Sequence, residues 1–335
     1  MRTGAKKTGL QIPNDFDAVA VEGMETTQGI DVRYQRVVHD IQEEVRNGKI
    51  DTNDVRNTVQ DTGALVEHCA DQNATSNVRS TPLHLAAAHG QLATARLLVE
   101  HGADVHVQNK DGWTPLHEAA ARGYFDVAQL LLKHGSSVHA KNKDGWTPLQ
   151  EATSRGYLDV MRLLLEHGAN RDTTNNVEST PLHLAASYGQ VAAAKLLVDH
   201  GADVHVQNKD GWTPLQEATS RGYLDIMQLL LEHGADRNAA NNVHFTPLHL
   251  AASYGQLAAV RLLIDHGANV HVQNKDGWTP LHEAASRGYF DIAQLLLEHG
   301  AIFHGQNKDG LTPLHEATSR GHIDVARLLL EHGAT

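Results

Sequence analysis

The chain has 335 residues, 41% of them hydrophobic, which is enough for a large buried core. Forty Asp and Glu against 28 Lys and Arg give a formal net charge of -12, a field that repels phosphate backbones and argues against direct nucleic-acid binding. A single cysteine, Cys69, excludes a disulfide framework and a zinc site built on several thiolates, so the chain reads as intracellular, in cytoplasm or nucleus.

Residues 1–33 are polar, glycine-containing and weakly periodic, and a disordered N-terminal segment is expected there. Arg2, Lys6 and Lys7 are followed by no apolar run, so no secretory signal is read. No stretch of the chain approaches the length of a membrane span, and no membrane partner is expected. From Tyr34 the pattern turns helical: Tyr34, Val37, Val38, Ile41 and Val45 form a stripe, and Asn47-Gly48 supplies a stop. Leu65-Val66-Glu67-His68-Cys69-Ala70-Asp71 then matches the later segment Leu98-Val99-Glu100-His101-Gly102-Ala103-Asp104 at six of seven positions. The mismatch puts Cys69 where a helix-ending glycine stands.

Thr-Pro-Leu begins at Thr81, Thr114, Thr147, Thr180, Thr213, Thr246, Thr279 and Thr312, always at the same interval. Six copies continue into His (His84, His117, His183, His249, His282, His315) and two into Gln (Gln150, Gln216). Proline in a first helical turn gives up only an amide that lacks an intrahelical partner, and the threonine before it caps that turn. Leu149, Ala152 and Leu158 follow at helical spacing, and Gly156 stops the first helix in the left-handed region. Val160, Leu163, Leu164 and Leu165 make the apolar face of a second helix that ends at Gly168. Asn142-Lys143-Asp144-Gly145 carries turn residues ahead of the next helix pair.

A 33-residue period opening on Thr-Pro-Leu-His resembles the ankyrin-repeat family, and the resemblance covers residues 76–335 without a gap. It implies an all-α solenoid of stacked helix-turn-helix units with hairpin-like finger loops at roughly right angles to the helices. The repeats are expected at 76–108, 109–141, 142–174, 175–207, 208–240, 241–273, 274–306 and 307–335. Residues 34–75 then read as a degenerate ankyrin-like unit capping the N-terminal end, with Cys69 structural. Its second helical stretch, from Gly48 to Cys69, is longer than the standard stretch from Gly90 to Gly102. The chain stops with Leu328, Leu329 and Leu330 still in the internal pattern, where a polar face would be expected of a terminal repeat. Either a partner or a second copy covers that end, or the array is a series cut short.

The copies fall into two types. Type B has Lys-Asp-Gly in the finger and Glu after the His or Gln, while type A has Asn-Val in the finger and Leu after the His. Their order is A B B A B A B B, and the A-B pair starting at Asn175 nearly repeats at Asn241. Trp113, Trp146, Trp212 and Trp278 all precede the Thr, where other copies have Ser80, Ser179, Phe245 and Leu311. The family resemblance places this position on the variable, partner-facing concave side. A second row comes from the first helix, where Glu118 and Arg122, Glu151 and Arg155, Glu217 and Arg221, Glu283 and Arg287, and Glu316 and Arg320 share one face at i,i+4 spacing. Type A repeats put Leu85 and His89, Leu184 and Tyr188, and Leu250 and Tyr254 there. These rows predict a groove alternating between aromatic-ionic and apolar-aromatic strips, rich in the residues that dominate interaction hot spots. The competing reading is that each Trp packs on the next finger and each Glu-Arg pair only supports its own helix.

Most of the 24 histidines are placed by the period, so neither a metal site nor a cofactor is expected. No Gly-rich phosphate loop and no Gly-x-Ser-x-Gly elbow is present, and nearly every polar residue recurs with the period, which is unlike a catalytic constellation. The expected function is a non-enzymatic scaffold or adaptor that binds one or more proteins. Two alternatives are a transcriptional or signalling co-regulator that tethers a DNA-binding partner, and a recognition arm related to a larger multidomain enzyme or sensor.

Overall fold

A computed structural model describes residue 76 and residues 78–335. The expectations for residues 1–33 and 34–75, Cys69 included, lie outside the described residues. The described residues belong almost wholly to one compact unit, Asn77–Thr335.

Among the described residues the structure consists of helices in pairs, with no strand. The pairs are α1 (Pro82–Ala88) and α2 (Leu92–Glu100), α3 (Pro115–Ala120) and α4 (Phe125–Lys133), α5 (Pro148–Arg155) and α6 (Leu158–Glu166), and α7 (Pro181–Ser187) and α8 (Val191–Asp199). They continue as α9 (Pro214–Arg221) and α10 (Leu224–Glu232), α11 (Pro247–Ser253) and α12 (Leu257–Asp265), α13 (Pro280–Arg287) and α14 (Phe290–Glu298), and α15 (Pro313–Ser319) and α16 (Ile323–Glu331). Each first helix packs on the first helix of the next pair and each second helix on the next second helix, so the stack is an all-α solenoid of helix-turn-helix units.

Each first helix starts where the sequence places it. Thr147 sits in an extended conformation (φ -96°, ψ 163°), Pro148 follows at the first helical position, and the Thr147 hydroxyl accepts from the Gln150 backbone N–H. The Gln150 side chain returns the bond to the Thr147 N–H, closing a capping box that satisfies two otherwise orphaned amides. Gly156, at φ +75°, ends the helix in the left-handed region. Leu158 opens α6 rather than continuing α5, because the break at Gly156 falls between them.

The second helices have no side-chain cap at the start, and several end at a Glu-His-Gly or Asp-His-Gly sequence. There His167 Nδ1–H donates to the Leu163 carbonyl at 2.8 Å, and His200, His233 and His266 repeat the contact. A donor at this point satisfies one of the carbonyls left over at a helix C-terminus.

Leu149, Ala152, Val160, Met161, Leu163 and Leu164 are buried, and equivalent positions in the other pairs join them in one core running from Leu83 to Ala334. Ala119, Ala152, Ala185, Ala218, Ala251, Ala284 and Ala317 are all 0% exposed. Their small side chains let neighbouring first helices approach closely. No pair could bury this surface alone, so the neighbour interface is the source of stability.

The fingers are joined by backbone. Within one finger, the Asn142 N–H donates to the Trp146 carbonyl at 2.9 Å, and the Asn142 side-chain oxygen accepts from the Asp144 and Trp146 amides. Between fingers, the Lys143 N–H donates to the Asp111 carbonyl at 2.9 Å and the Asn176 N–H to the Asp144 carbonyl at 3.0 Å. A Cβ on Gly145 (φ +78°) would lie 2.7 Å from the Asn176 backbone nitrogen, so this position is glycine on two counts.

Candidate functional site: the finger and first-helix face

The residue three positions after each capping threonine builds the frame of this face. His84 Nε2–H donates to the Trp113 carbonyl in the next finger at 2.9 Å, and His117, His183, His249 and His282 repeat the bond in their own repeats. A carbonyl only accepts, so Nε2 must carry the proton. Nδ1 is then the acceptor, and it receives the Thr81 N–H at 3.2 Å and the Thr81 hydroxyl at 2.8 Å. Gln150 and Gln216 reproduce both halves, accepting through Oε1 and donating through Nε2 to the Ser179 carbonyl at 2.8 Å and the Phe245 carbonyl at 2.7 Å.

This arrangement accommodates only a neutral imidazole. Burial pushes His117, His183 and His249 down to about 4, against which the carbonyl bonds pull upward, and His84 and His282 are lowered for the same reason. The histidines that could suggest metal chemistry are thus ties between repeats. Among the described residues, no group of three or more His, Cys, Asp or Glu is placed to hold a metal ion.

Three rows of sequence-predicted residues lie along this frame. The finger row, Trp113, Trp146, Trp212, Phe245, Trp278 and Leu311, is half-buried throughout. Trp113 and Trp278 tilt over the histidine of their own repeat with ring centroids 6.0 Å apart, and Phe245 does so at 5.4 Å. One side of each of these rings is thereby fixed by the frame.

The glutamate row lies deeper than its i,i+4 pattern suggests. Glu151, Glu283 and Glu316 are buried, while Glu118 and Glu217 are half-buried. The finger asparagine reaches these carboxylates: Asn142 Nδ2 donates to Glu151 at 3.3 Å, Asn208 to Glu217 at 3.3 Å and Asn307 to Glu316 at 3.5 Å. Burial raises Glu151 and Glu217 to about 7, with Arg155 and Arg221 respectively pulling the other way. Glu118 and Glu283 are also raised by burial, opposed by Arg122 and Arg287.

The outer row is exposed. Arg122 and Arg287 pair closely with Glu118 and Glu283, Arg320 lies 3.5 Å from Glu316, and Arg155 lies 3.9 Å from Glu151. Arg221 forms no such close pair among the described residues, although Glu217 feels its charge. Tyr188 and Tyr254 take the same register in type A repeats and are 41% and 39% exposed, while Leu184 and Leu250 beneath them are buried. Burial pushes the Tyr254 phenol up, and Arg287 and Arg221 pull it down, so the three neighbour one another along the row.

The structure therefore brings all the candidate residues to one face but in layers, with the aromatic finger row half-buried, the glutamates below and the arginines and tyrosines outermost. Sequence reasoning missed the finger asparagine as the group that holds the glutamates. Its recurrence in register at Asn142, Asn208 and Asn307 was the available signal. An open cleft on the second-helix side, between α10 and α12, is lined by Leu224, Leu257 and Arg261 and by none of these residues.

Helix pairs in a constant register, tied by a Thr-Pro-Leu-His side chain to the next finger, define a repeat protein built to present a surface rather than an enclosed site. The family model described as ankyrin repeats (3 copies) matches residues 57–142, 135–208, 200–274 and 266–335, and the chain belongs to the ankyrin-repeat family. The search of curated proteins gave no match. Ankyrin repeats are generally protein–protein interaction modules, and the fold is typically a non-enzymatic scaffold. No helix among the described residues is long and apolar enough to cross a membrane.

Proposed function

We propose that this chain is an intracellular scaffold or adaptor that holds protein partners on its finger and first-helix face. The observation that carries the reading is the outer row. Tyr188 and Tyr254 stand about two-fifths exposed above buried leucines, in line with exposed arginines, although the same array buries apolar surface at every junction. Tyr, Trp and Arg are the residue types that concentrate binding energy at interfaces, each often contributing about 2 kcal/mol or more. Trp113, Phe245 and Trp278 each have one ring side against a frame histidine, and all the tryptophans are half-buried, so the finger row suits a rigid binding wall.

The test is an affinity pull-down with mass spectrometry from the native cells. It compares the intact chain with the folded variant Trp146→Ala, Trp212→Ala, Arg155→Ala, Arg221→Ala. Specific proteins recovered by the intact chain should be lost from the variant, while the Trp146→Ala, Trp212→Ala pair alone leaves Tm nearly unchanged. A large drop in Tm would make the tryptophans structural. Partners that stay bound would move the binding surface elsewhere.

A further inference from the structure

We infer that the outer row selects an extended, acidic polypeptide segment. The inference rests on the reading of this face as the binding surface and adds the chemistry of its occupant.

The chain as a whole carries a net charge of -12, yet its outermost charged side chains on this face are arginines. Their glutamate partners lie underneath, with Glu151, Glu217 and Glu316 held by finger asparagines and Glu118 and Glu283 paired to their own arginines. The finger tips contribute Lys-Asp pairs such as Lys143-Asp144, which cancel. Because the glutamates lie beneath and the arginines outermost, the charged groups of the first-helix row that an occupant touches first are guanidinium groups.

The guanidinium geometry is also open to a second carboxylate. Arg122 and Arg287 reach their glutamates through Nη1 and Arg320 through Nε, and Arg221 forms no close ion pair among the described residues. Each guanidinium has five donors in a fork, so an unused edge remains for bidentate contact with an incoming carboxylate. A continuous polyanion such as nucleic acid would have to pass the acidic remainder of the array, whereas a peptide places carboxylates only where the arginines stand.

The register is specified as well. From the second pair to the eighth the row runs Arg, Arg, Tyr, Arg, Tyr, Arg, Arg. Packed helices lie about 8–10 Å apart, and an extended polyproline-II segment rises about 3.1 Å per residue with three residues per turn, so one repeat matches about three residues and every third side chain returns to the same face. The fitting segment has an acidic residue at every third position and an apolar residue opposite each tyrosine. Because the row reads the same from either end, one peptide pattern serves both chain directions.

The experiment measures fluorescence anisotropy of a labelled peptide of about 19 residues against the full chain, with Glu at every third position and Leu at the two tyrosine steps. The expected result is binding about tenfold or more tighter than a scrambled peptide of the same composition. It should weaken with added salt and fall by about tenfold in Arg155→Gln, Arg221→Gln, Arg287→Gln, whose folding is checked by circular dichroism. Equal binding of the scrambled peptide, or tighter binding of a single-stranded oligonucleotide, overturns the inference. A neutral peptide with the same Leu spacing that binds equally well, and is lost from Trp146→Ala, Trp212→Ala, overturns the acidic occupant while leaving the face as a binding surface. Failure of every peptide also overturns it, and the face itself falls only if the pull-down partners stay on the four-site variant.

Discussion

Residues 175–207 and 208–240 are neighbours with one backbone plan and two surfaces. Both start on a capping threonine, both tie to the following finger through the residue three positions later, and both bury leucines such as Leu182 and Leu197 or Leu215 and Leu230. At the finger they part. Gly211 at φ +78° is matched in the type A unit by Glu178 at φ +61°, and Arg79 and His244 take the same left-handed conformation in the other type A fingers. On the first helix, Glu217 and Arg221 are matched by Leu184 and Tyr188. The second helices differ as well, with buried Ala193 and Ala194 matched by buried Ile226 and Met227. The array thus holds its caps and ties constant while varying both the packing of the second helix and what the first-helix face presents.

The type A finger bears a conformational cost that its neighbour avoids. A side chain in the left-handed region is disfavoured by roughly 1–2 kcal/mol. Asn176 compensates in part, donating through Nδ2 to the Lys143 carbonyl at 2.7 Å, and Asn242 does the same to Lys209 at 3.0 Å.

The comparison is broken most strongly at the tie. His183 and Gln216 make the same two bonds, but only the histidine gains a proton in acid. With an unfolded value of 6.5 and folded values of about 4, stability is fully present above pH 6.5 and is lost as pH falls toward 4. The triple variant His117→Gln, His183→Gln, His249→Gln should remove an acid destabilisation on the order of 2–3 kcal/mol per histidine, read from urea melts between pH 4 and 8. The raised carboxylates act in the opposite sense. Glu151 and Glu217 favour the folded state below pH 4.5 and lose that contribution as pH rises to about 7, so Glu151→Gln should flatten the loss between pH 4.5 and about 7. Equal pH profiles for the histidine and glutamine forms would show that the ties are not buried enough to matter.

A smaller effect sharpens the finger comparison. Gly145→Ala should cost about 2 kcal/mol or more, because a Cβ there meets both an unfavourable φ and the next finger's backbone. Glu178→Gly at the matching position should instead stabilise by about 1 kcal/mol, measured as a rise in Tm. The smallest effect lies between two type B units. Ser136 is buried where its neighbour has Ala169, and its hydroxyl has no hydrogen-bond partner among the described residues. Ser136→Ala should stabilise by about 1 kcal/mol in the same assay, and a loss would mean that the hydroxyl is satisfied.

The repeat frame was legible because its rules are local. Thr147-Pro148 specifies a helix start and Gly156 a stop through caps that involve only near neighbours, and eight regular copies remove ambiguity about the fold class. The candidate site was legible as a set of residues but not as a set of roles. Glu151 and Arg155, at i,i+4 spacing, read from sequence as equal members of a surface pair. Packing against adjacent first helices and the finger asparagine Asn142 buries the glutamate and leaves the arginine outside.

The sequence by itself determined the period, the helix pairs and the two repeat types, since each follows from spacing within a unit and comparison between units. Only the tertiary structure decided depth, protonation and outward sign of charge. Those depend on which groups the next repeat brings close, and desolvation by a neighbour one whole repeat away has no signature within a single unit.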